Sequence, residues 1–441
     1  METLIFYSYR CLFLVVSFVL RIGYFVLSKG KLKQTLFFRI HHPFTIKPTF
    51  NQSHPTICVH AASGEIEYAY PLIRKIKELQ PQYNILVTLS SPSVLYALKN
   101  SNDIDAFGPA PIDTFFSIRR FLFLWSPKYV LFSRTDVWPE FSYQLSSRKI
   151  PSYLFSCTLS EKSSKVGLVS QGLTKFCFNR LTAIYTVGSE DKINLMKIGI
   201  KVPIEILGDT RFDQIELKKK SVPILKNLFP INSQQEDLTQ NNDHAFCSKK
   251  IFVAGSTWEE DERILFPVFK NFHNWKWIVA PHEVNKSHLD SIKNRITKEF
   301  PKAKLQFYSD FDENTDWDIL IVDQFGLLFY LYQYADISFV GGSFKDKVHS
   351  VMEPLAYNKY VTVGPKILNN REALEFSKMK LPSNLNMVQV INHGQNLENI
   401  LSLIDGLTPE SKLKDFSKIN DTMTLKRNAT DRVYTFIFNK S

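Results

Sequence analysis

The chain has 441 residues and a formal net charge of +11, with 44% hydrophobic and 22% charged residues. That length and balance exclude a disordered or collagen-like chain and leave room for two or three domains with substantial cores. The cationic excess suits an anionic partner, either a membrane surface or a phosphorylated substrate; with no zinc spacing, long Lys/Arg run or nucleic-acid signature, nucleic acid is set aside.

The N-terminus is apolar and aromatic over residues 4–27, interrupted by Arg10 and Arg21. No small-residue cleavage site follows, which argues against a removable signal peptide. Lys29, Lys31, Lys33 and Arg39 come next, a basic flank that marks a cytoplasmic side and attracts anionic lipid. The segment therefore reads as a membrane anchor over 1–28, spanning once or lying in the interface. A buried core helix is the alternative.

Beyond it, short apolar runs alternate with helical stretches. Strands are expected at 56–60, 84–89, 129–132, 152–155 and 183–187. A helix is expected over 64–79, where Ile66, Ala69, Ile73 and Ile76 share a face. A break falls at 207–213, and the polar stretch 232–250 reads as a surface loop. The same grammar restarts with strands at 251–254, 277–280, 305–308, 319–322, 336–340 and 360–363. The fold class is therefore α/β with two Rossmann-like domains facing a cleft, bounded at 29–207 and 208–441. Cys11, Cys58, Cys157, Cys177 and Cys247 are scattered and odd in number, which fits reduced thiols better than a disulfide framework.

Several strand ends carry chemistry-bearing residues. Val340-Gly341-Gly342-Ser343 closes a strand and is followed by Lys345, Lys347, His349 and then Glu353-Pro354. Glycines there let backbone amides approach a phosphate, and a helix start offers its positive end. Glu353 could accept hydrogen bonds from ribose hydroxyls. The bland alternative is a packing turn with an incidental acid. His60-Ala61-Ala62-Ser63-Gly64-Glu65 ends another strand, with Ser63 as a helix cap and Glu65 in the first turn. A carboxylate at that mouth could take a proton from a sugar hydroxyl, although the helix dipole would lower its pKa. Otherwise Glu65 only favours the dipole. Gly255-Ser256-Thr257 with Glu260 reads as a capping box whose amides could hold phosphate. Arg211 at the break could reach a leaving phosphate, or form a hinge salt bridge. His282 after the strand at 277–280 could meet base or phosphate. Asp136 could orient an acceptor. No P-loop, GxGxxG, HExxH or nucleophile elbow occurs.

Taken in order, these segments resemble bacterial 3-deoxy-D-manno-octulosonic acid (Kdo) transferases, the lipid A Kdo transferase family. The motifs are HAASGE at 60–65, PxD at 111–113, TDVWP at 135–139, LSEKS at 159–163, GDTRFD at 208–213 and AGSTWEEDE at 254–262. APHE at 280–283, GLL at 326–328, GGS at 341–343, KVHSVMEP at 347–354 and VGP at 363–365 complete the set. The resemblance implies a GT-B glycosyltransferase at the cytoplasmic face of the inner membrane. Such an enzyme moves Kdo from CMP-Kdo to a phosphorylated lipid A precursor by inverting, metal-independent transfer and needs no cofactor. It implies Glu65 as catalytic base. Arg211, Gly255, Ser256, Thr257, His282, Gly341, Gly342, Ser343, His349 and Glu353 fall on the donor side. Ser63, Gly64, Asp136 and Ser160 fall on the acceptor side.

The chain departs from the family pattern in three places. Ser63 and Gly64 are adjacent where one residue usually separates them, Ser350 replaces an Asn, and Arg134 replaces the first Glu of the ETE-L-WP segment. Two other readings compete. One is a GT-B enzyme using another nucleotide sugar on a lipid acceptor; the other is a non-enzymatic membrane-tethered binding protein.

Overall fold

The computed structural model describes residues 2–26, 31–161, 163, 165, 167–221, 223, 225–228 and 249–439. Residues 27–30, Cys247 and most of the polar stretch 232–250 lie outside the described residues. The chain divides into two compact units, Met1–Gln214 with Lys426–Ser441, and Ile215–Leu425.

The first unit is built on an eight-stranded sheet: β1 (Thr45–Ile46), β2 (Thr56–Ala61), β3 (Asn84–Leu89), β4 (Ala106–Pro109), β5 (Pro127–Ser133), β6 (Ser152–Cys157), β7 (Ala183–Thr186) and β8 (Ile204–Ile206). Their spatial order is β1-β4-β3-β2-β5-β6-β7-β8. Only the β1–β4 pairing is antiparallel. Every residue of β2 and β3 is buried, because helices cover both faces of a parallel sheet. On one face Ile57, Val59, Ile85 and Val87 pack with Ile66, Ala69, Ile73 and Ile76 of the helix Ile66–Leu79. On the other face Cys58, Leu86 and Val130 pack with Phe141 and Phe176.

The second unit repeats the plan with seven strands: β9 (Ile251–Thr257), β10 (Lys276–Pro281), β11 (Leu305–Phe307), β12 (Ile319–Ile321), β13 (Ile337–Val340), β14 (Tyr360–Val363) and β15 (Val388–Val390). They run parallel in the order β11-β12-β10-β9-β13-β14-β15. In each sheet the winding reverses once, between β2 and β5 in the first and between β9 and β13 in the second. Open α/β sheets bind ligands beyond the strands' carboxyl ends at such reversals.

Two sequence expectations need correction. The first concerns the anchor. Residues 2–26 do form a helix, Glu2–Val26, but no helix among the described residues is long and apolar enough to cross a membrane. This helix spends its first turns on the first unit. Phe6 is buried and stacks on Phe176 at 4.3 Å and Tyr143 at 4.8 Å. The Tyr9 hydroxyl donates to Asp113 at 2.9 Å. Arg10 bonds both oxygens of Glu140 at 2.8 and 3.0 Å. A helix held by such buried polar contacts is a structural element of its domain.

The second correction is the boundary. The first unit runs past 207 to Gln214 and takes back the C-terminal helix Ala429–Phe438. Asp213 accepts the amides of Asn428 and Thr430, both at 2.7 Å, and Arg432 donates to the Leu207 carbonyl at 2.9 Å. Val433, Tyr434 and Ile437 then enter the core beside Ile76 and Tyr83. The ten residues of that helix are far from the rest of the first unit in sequence, so local pattern gave no sign of the return.

Candidate functional site

At the winding reversal of the first sheet, β2 ends in His60-Ala61 and β5 in Ser133. The chain after β2 makes a single 3-10 turn, Ser63–Glu65, before the helix Ile66–Leu79 begins. The Glu65 amide closes that turn on the Ala62 carbonyl at 3.0 Å. The Ser133 hydroxyl donates to the Glu65 carbonyl at 3.1 Å, tying the two strand ends together. A Cβ at Gly64 would meet nothing within 4 Å, so the shortened loop is uncrowded there.

Glu65 Oε2 is buried and has no hydrogen-bond partner among the described residues. Burial pushes the carboxyl up to about 7, while the Arg134 charge pulls the other way. Desolvation thus outweighs the Arg134 charge and the Ala62 amide, and the protein alone supplies the desolvation. Asp136 is the counterpart. Burial would raise its carboxyl too, but hydrogen bonds with His60 and Ser90 and the charge of Lys165 hold it down at about 2. His60 Nε2 lies 3.1 Å from Asp136 Oδ2, and its Nδ1 lies 3.0 Å from the Thr88 hydroxyl. The Ser90 hydroxyl donates to Asp136 at 3.0 Å. An ionised Asp136 therefore accepts the Nε2 proton of His60 and holds the ring, whose Nδ1 shares a hydrogen bond with Thr88. Two neighbouring carboxylates with opposite environments separate into a fixed anion and a base poised near neutrality.

Arg211 opens the helix Arg211–Lys220, where the Asp209 carboxylate accepts its amide at 2.9 Å. Its guanidinium lies 5.6 Å from the Tyr68 ring centre, and Arg134 approaches the same ring at 4.6 Å. Ser160 is exposed, and nothing places it among these groups. Of Ser63 only the backbone is described.

The second unit gathers its expected residues at the β9/β13 reversal. The Gly341 amide donates to the Gly255 carbonyl at 2.8 Å. A Cβ at Gly341 would sit 2.3 Å from the Ser256 carbonyl oxygen, so only glycine fits. The Ser343 hydroxyl accepts the Gly364 amide at 2.6 Å. Trp258, His282 and His349 form a column of rings, 4.6 Å from the first to the second and 4.5 Å from the second to the third. Lys345 Nζ lies 3.4 Å from the Trp258 ring centre. Burial, with the charges of His282 and Lys347, lowers the His349 pKa to about 4. A neutral His349 suits its Nε2 as acceptor from Trp258 Nε1, 3.4 Å away. Glu353 stands in the first turn of the helix Met352–Leu355, and its charge acts on the buried Tyr332 hydroxyl, which packs where a Gly255 Cβ would be.

Two expectations change here. The acid that closes the cap after β9 is Asp261 rather than Glu260. It accepts the Trp258 amide at 2.9 Å, whereas Thr257 donates to Glu262 at 3.0 Å. Asp261 also accepts the Gly342 amide at 2.7 Å and the Phe344 amide at 3.3 Å. Those two amides of the glycine loop are therefore turned to a carboxylate of the protein itself, not held open for phosphate. The helix that follows is a single turn, with little dipole to offer. The missing Asn at 350 also has an answer. Asn370 donates to the His349 carbonyl at 3.1 Å, while the Ser350 hydroxyl is buried without a partner among the described residues.

Motif reading missed Ser90, Thr88, Lys165 and Tyr68, which complete the first-unit site. The signal for Ser90 was its place just past a strand end, as for Arg134.

Gly341→Ala should lower stability by on the order of 2 kcal/mol, since an added methyl must displace backbone in a packed turn. Chemical denaturation with an unchanged midpoint would contradict the close approach.

Comparison with known proteins gives the same direction. Residues 37–214 match the family model described as 3-Deoxy-D-manno-octulosonic-acid transferase (kdotransferase). The chain is 29% identical to the 3-deoxy-D-manno-octulosonic acid transferase of Rickettsia felis over 326 residues, covering 72% of this chain and 65% of that one. The Rickettsia bellii transferase is 24% identical over 396 residues, with 88% of each chain covered. That of Chlamydia muridarum is 25% identical, with 97% of this chain and 96% of that one covered. Of the Rickettsia felis and Rickettsia conorii transferases the chain spans just under two thirds of the length. Among solved structures, the UDP-GlcNAc 2-epimerase of Neisseria meningitidis superposes with a TM-score of 0.58 at 13% identity, covering 87% of this chain and 99% of that one. Acinetobacter baumannii MurG gives 0.51 at 10% identity, covering 87% and 99%. These two show the fold: a pair of Rossmann-like domains of the GT-B kind. By sequence, the chain is similar to the Kdo transferases.

Proposed function

We propose that this relative of the Kdo transferases is an inverting glycosyltransferase that moves Kdo from CMP-Kdo to a phosphorylated lipid A precursor. The observation that carries the reading is Glu65. It is a half-buried carboxyl just past a strand end, with one oxygen buried and without a hydrogen-bond partner among the described residues, and burial pushes its pKa up to about 7 beside a fixed Asp136 anion. Such a group can take the proton from an acceptor hydroxyl as that oxygen attacks the anomeric carbon and CMP leaves. Asp136, with His60 and Ser90, orients the acceptor side. Gly64 gives the backbone room there, and Ser63 and Ser160 belong to this side by family resemblance alone.

On the second unit, the turn Gly255–Thr257, the Gly341–Ser343 loop and the His282/His349 rings form the nucleotide seat. Glu353 takes ribose hydroxyls. Arg211 is the cation assigned to the departing phosphate, which its fixed charge stabilises as it develops. The roles assigned need neither a metal nor a cofactor.

The work site is the cytoplasmic face of the inner membrane. Supporting this, Leu12, Val15, Phe18 and Val19 on the first helix and Phe116 and Phe123 elsewhere on the unit are exposed. Arg119, Arg120 and Arg148 line a shallow hollow with Phe116 and Phe123. Apolar side chains ringed by arginine suit seating in an anionic lipid interface rather than crossing it.

Two measurements test this reading. Calorimetric titration should show CMP binding and little UDP binding; the reverse would favour another nucleotide sugar. The pH profile of kcat/KM should rise through about pH 7, because Glu65 acts only when ionised and burial places its pKa there. A rate already at its plateau at pH 5 would remove Glu65 from the base role.

A further inference from the structure

We propose that Lys345, whose ammonium lies on the Trp258 ring, takes the phosphate of the nucleotide bound at the winding reversal of the second sheet. The identity of the nucleotide rests on the transferase reading. The structural ground is the second unit alone.

Lys345 falls between the GGS segment at 341–343 and the KVHSVMEP segment at 347–354, so no family motif assigns it a role. Its loop leaves β13 at the reversal, where an open α/β sheet binds its ligand. A glycine loop in such a place ordinarily offers backbone amides to phosphate. Here those groups are spent on the protein itself. The Gly341 amide donates to the Gly255 carbonyl at 2.8 Å. The Gly342 and Phe344 amides donate to Asp261, at 2.7 and 3.3 Å. The buried Ser343 hydroxyl accepts the Gly364 amide at 2.6 Å. A phosphate seat on this loop therefore needs a cation from a side chain.

Lys345 supplies one. Its Nζ lies 3.4 Å from the Trp258 ring centre, and among the described residues it has no acidic or hydrogen-bonding partner. Its backbone is fixed. The Lys366 ammonium donates to the Lys345 carbonyl, and the Asp346 amide donates to the Gly342 carbonyl at 2.9 Å. A fixed root with an unbonded head suits a binding group better than a structural ion pair. Trp258 also begins the column of rings that continues through His282 and His349, a surface on which a base can stack. The ammonium thus stands where the loop meets the rings. A cation on an aromatic face is held less strongly than one bonded to phosphate, so an arriving nucleotide can draw it off the ring. Until then the ring holds a long side chain near its working position, which lowers the cost of ordering it on binding.

The test is calorimetric titration of the full-length protein with cytidine and CMP, and with uridine and UMP. Wild type is compared with Lys345→Met, Lys345→Arg and, as a control, Lys347→Met. Methionine keeps the stem against the ring and removes the charge. Equal melting temperatures and an unchanged nucleoside affinity would establish that fold and base seat are intact. The wild type should bind one nucleotide at least tenfold more tightly than its nucleoside. Lys345→Met should lose about tenfold of that preference, the scale of one charge-assisted contact, and Lys345→Arg should keep part of it. Lys347 is exposed and its ammonium rests on no ring, so Lys347→Met should keep the preference. An unaltered preference in Lys345→Met, or none in the wild type, overturns the inference. An equal loss in Lys347→Met also overturns it, because a diffuse field of loop cations would then replace a specific contact. A wild type that binds UMP rather than CMP, with the preference lost in Lys345→Met, would overturn the CMP-Kdo reading and leave this one standing. A wild type that transfers Kdo while Lys345→Met keeps its full preference for CMP would do the opposite.

Discussion

Glu65→Gln should lower kcat by about 10²-fold or more while leaving CMP binding unchanged. Glutamine keeps the size of the side chain but cannot accept a proton, and general-base catalysis is worth that much. A collapse of structure would give the same loss of rate, so stability must be measured alongside. Folding raises the Glu65 pKa from its ordinary 4.5 to about 7 through burial. Below the ordinary value the group is protonated in both states and its burial carries no ionisation cost. As pH rises from about 4.5 through 7, the unfolded chain gives up its proton more readily, and stability falls. Glutamine has no such penalty, so the variant should be at least as stable as the wild type at pH 8. A variant that retains near-full kcat, or one that is markedly less stable at pH 8, would contradict the picture of a buried base.

The second large effect is on the N-terminal helix. Arg10→Ala should destabilise the first unit by about 3 kcal/mol, because it strands the Glu140 carboxylate without its cation. The Glu140 side chain is only 1% exposed and bonds Arg10 through both oxygens. Gln144 also donates to Glu140, at 2.8 Å, and softens the loss. Replacing both members by apolar residues, Arg10→Met with Glu140→Leu, should recover most of it. Urea unfolding reads both effects. If Arg10→Ala leaves the midpoint unchanged, the helix is not the docked structural element described here. Removal of residues 1–28 should for the same reason cost stability. It would uncover Phe176 and Tyr143, which Phe6 now covers.

Much of this was legible in the sequence because both sheets are parallel. Buried parallel strands read as short apolar runs, and the stretches 84–89 and 360–363 are found with the expected bounds. What escaped notice has physical causes. Strand β4 reads Ala-Phe-Gly-Pro, a poor strand by composition. Gly108 is there because the Phe44 ring lies where a side chain would go. The last helix joins the first unit through contacts more than 200 residues apart in sequence. The N-terminal helix looked like an anchor because its apolar content is real, yet hydropathy says nothing about which side chains a neighbouring domain has already covered. At the site, residue types at strand ends indicated where Glu65, Gly341 and His349 gather. They could not show that burial would win over the Arg134 charge at Glu65, nor that Asp261 would claim the glycine-loop amides, since both depend on neighbours brought in by the fold.

The most direct test of the central claim is a single in vitro reaction. Purified full-length protein is mixed with CMP-Kdo and a detergent-dispersed lipid A precursor, and products are read by mass spectrometry. The account predicts a lipid product heavier by one or more whole Kdo residues, with CMP released in step, and no such product from Glu65→Gln. An unmodified acceptor alongside folded, CMP-binding wild-type protein would contradict it.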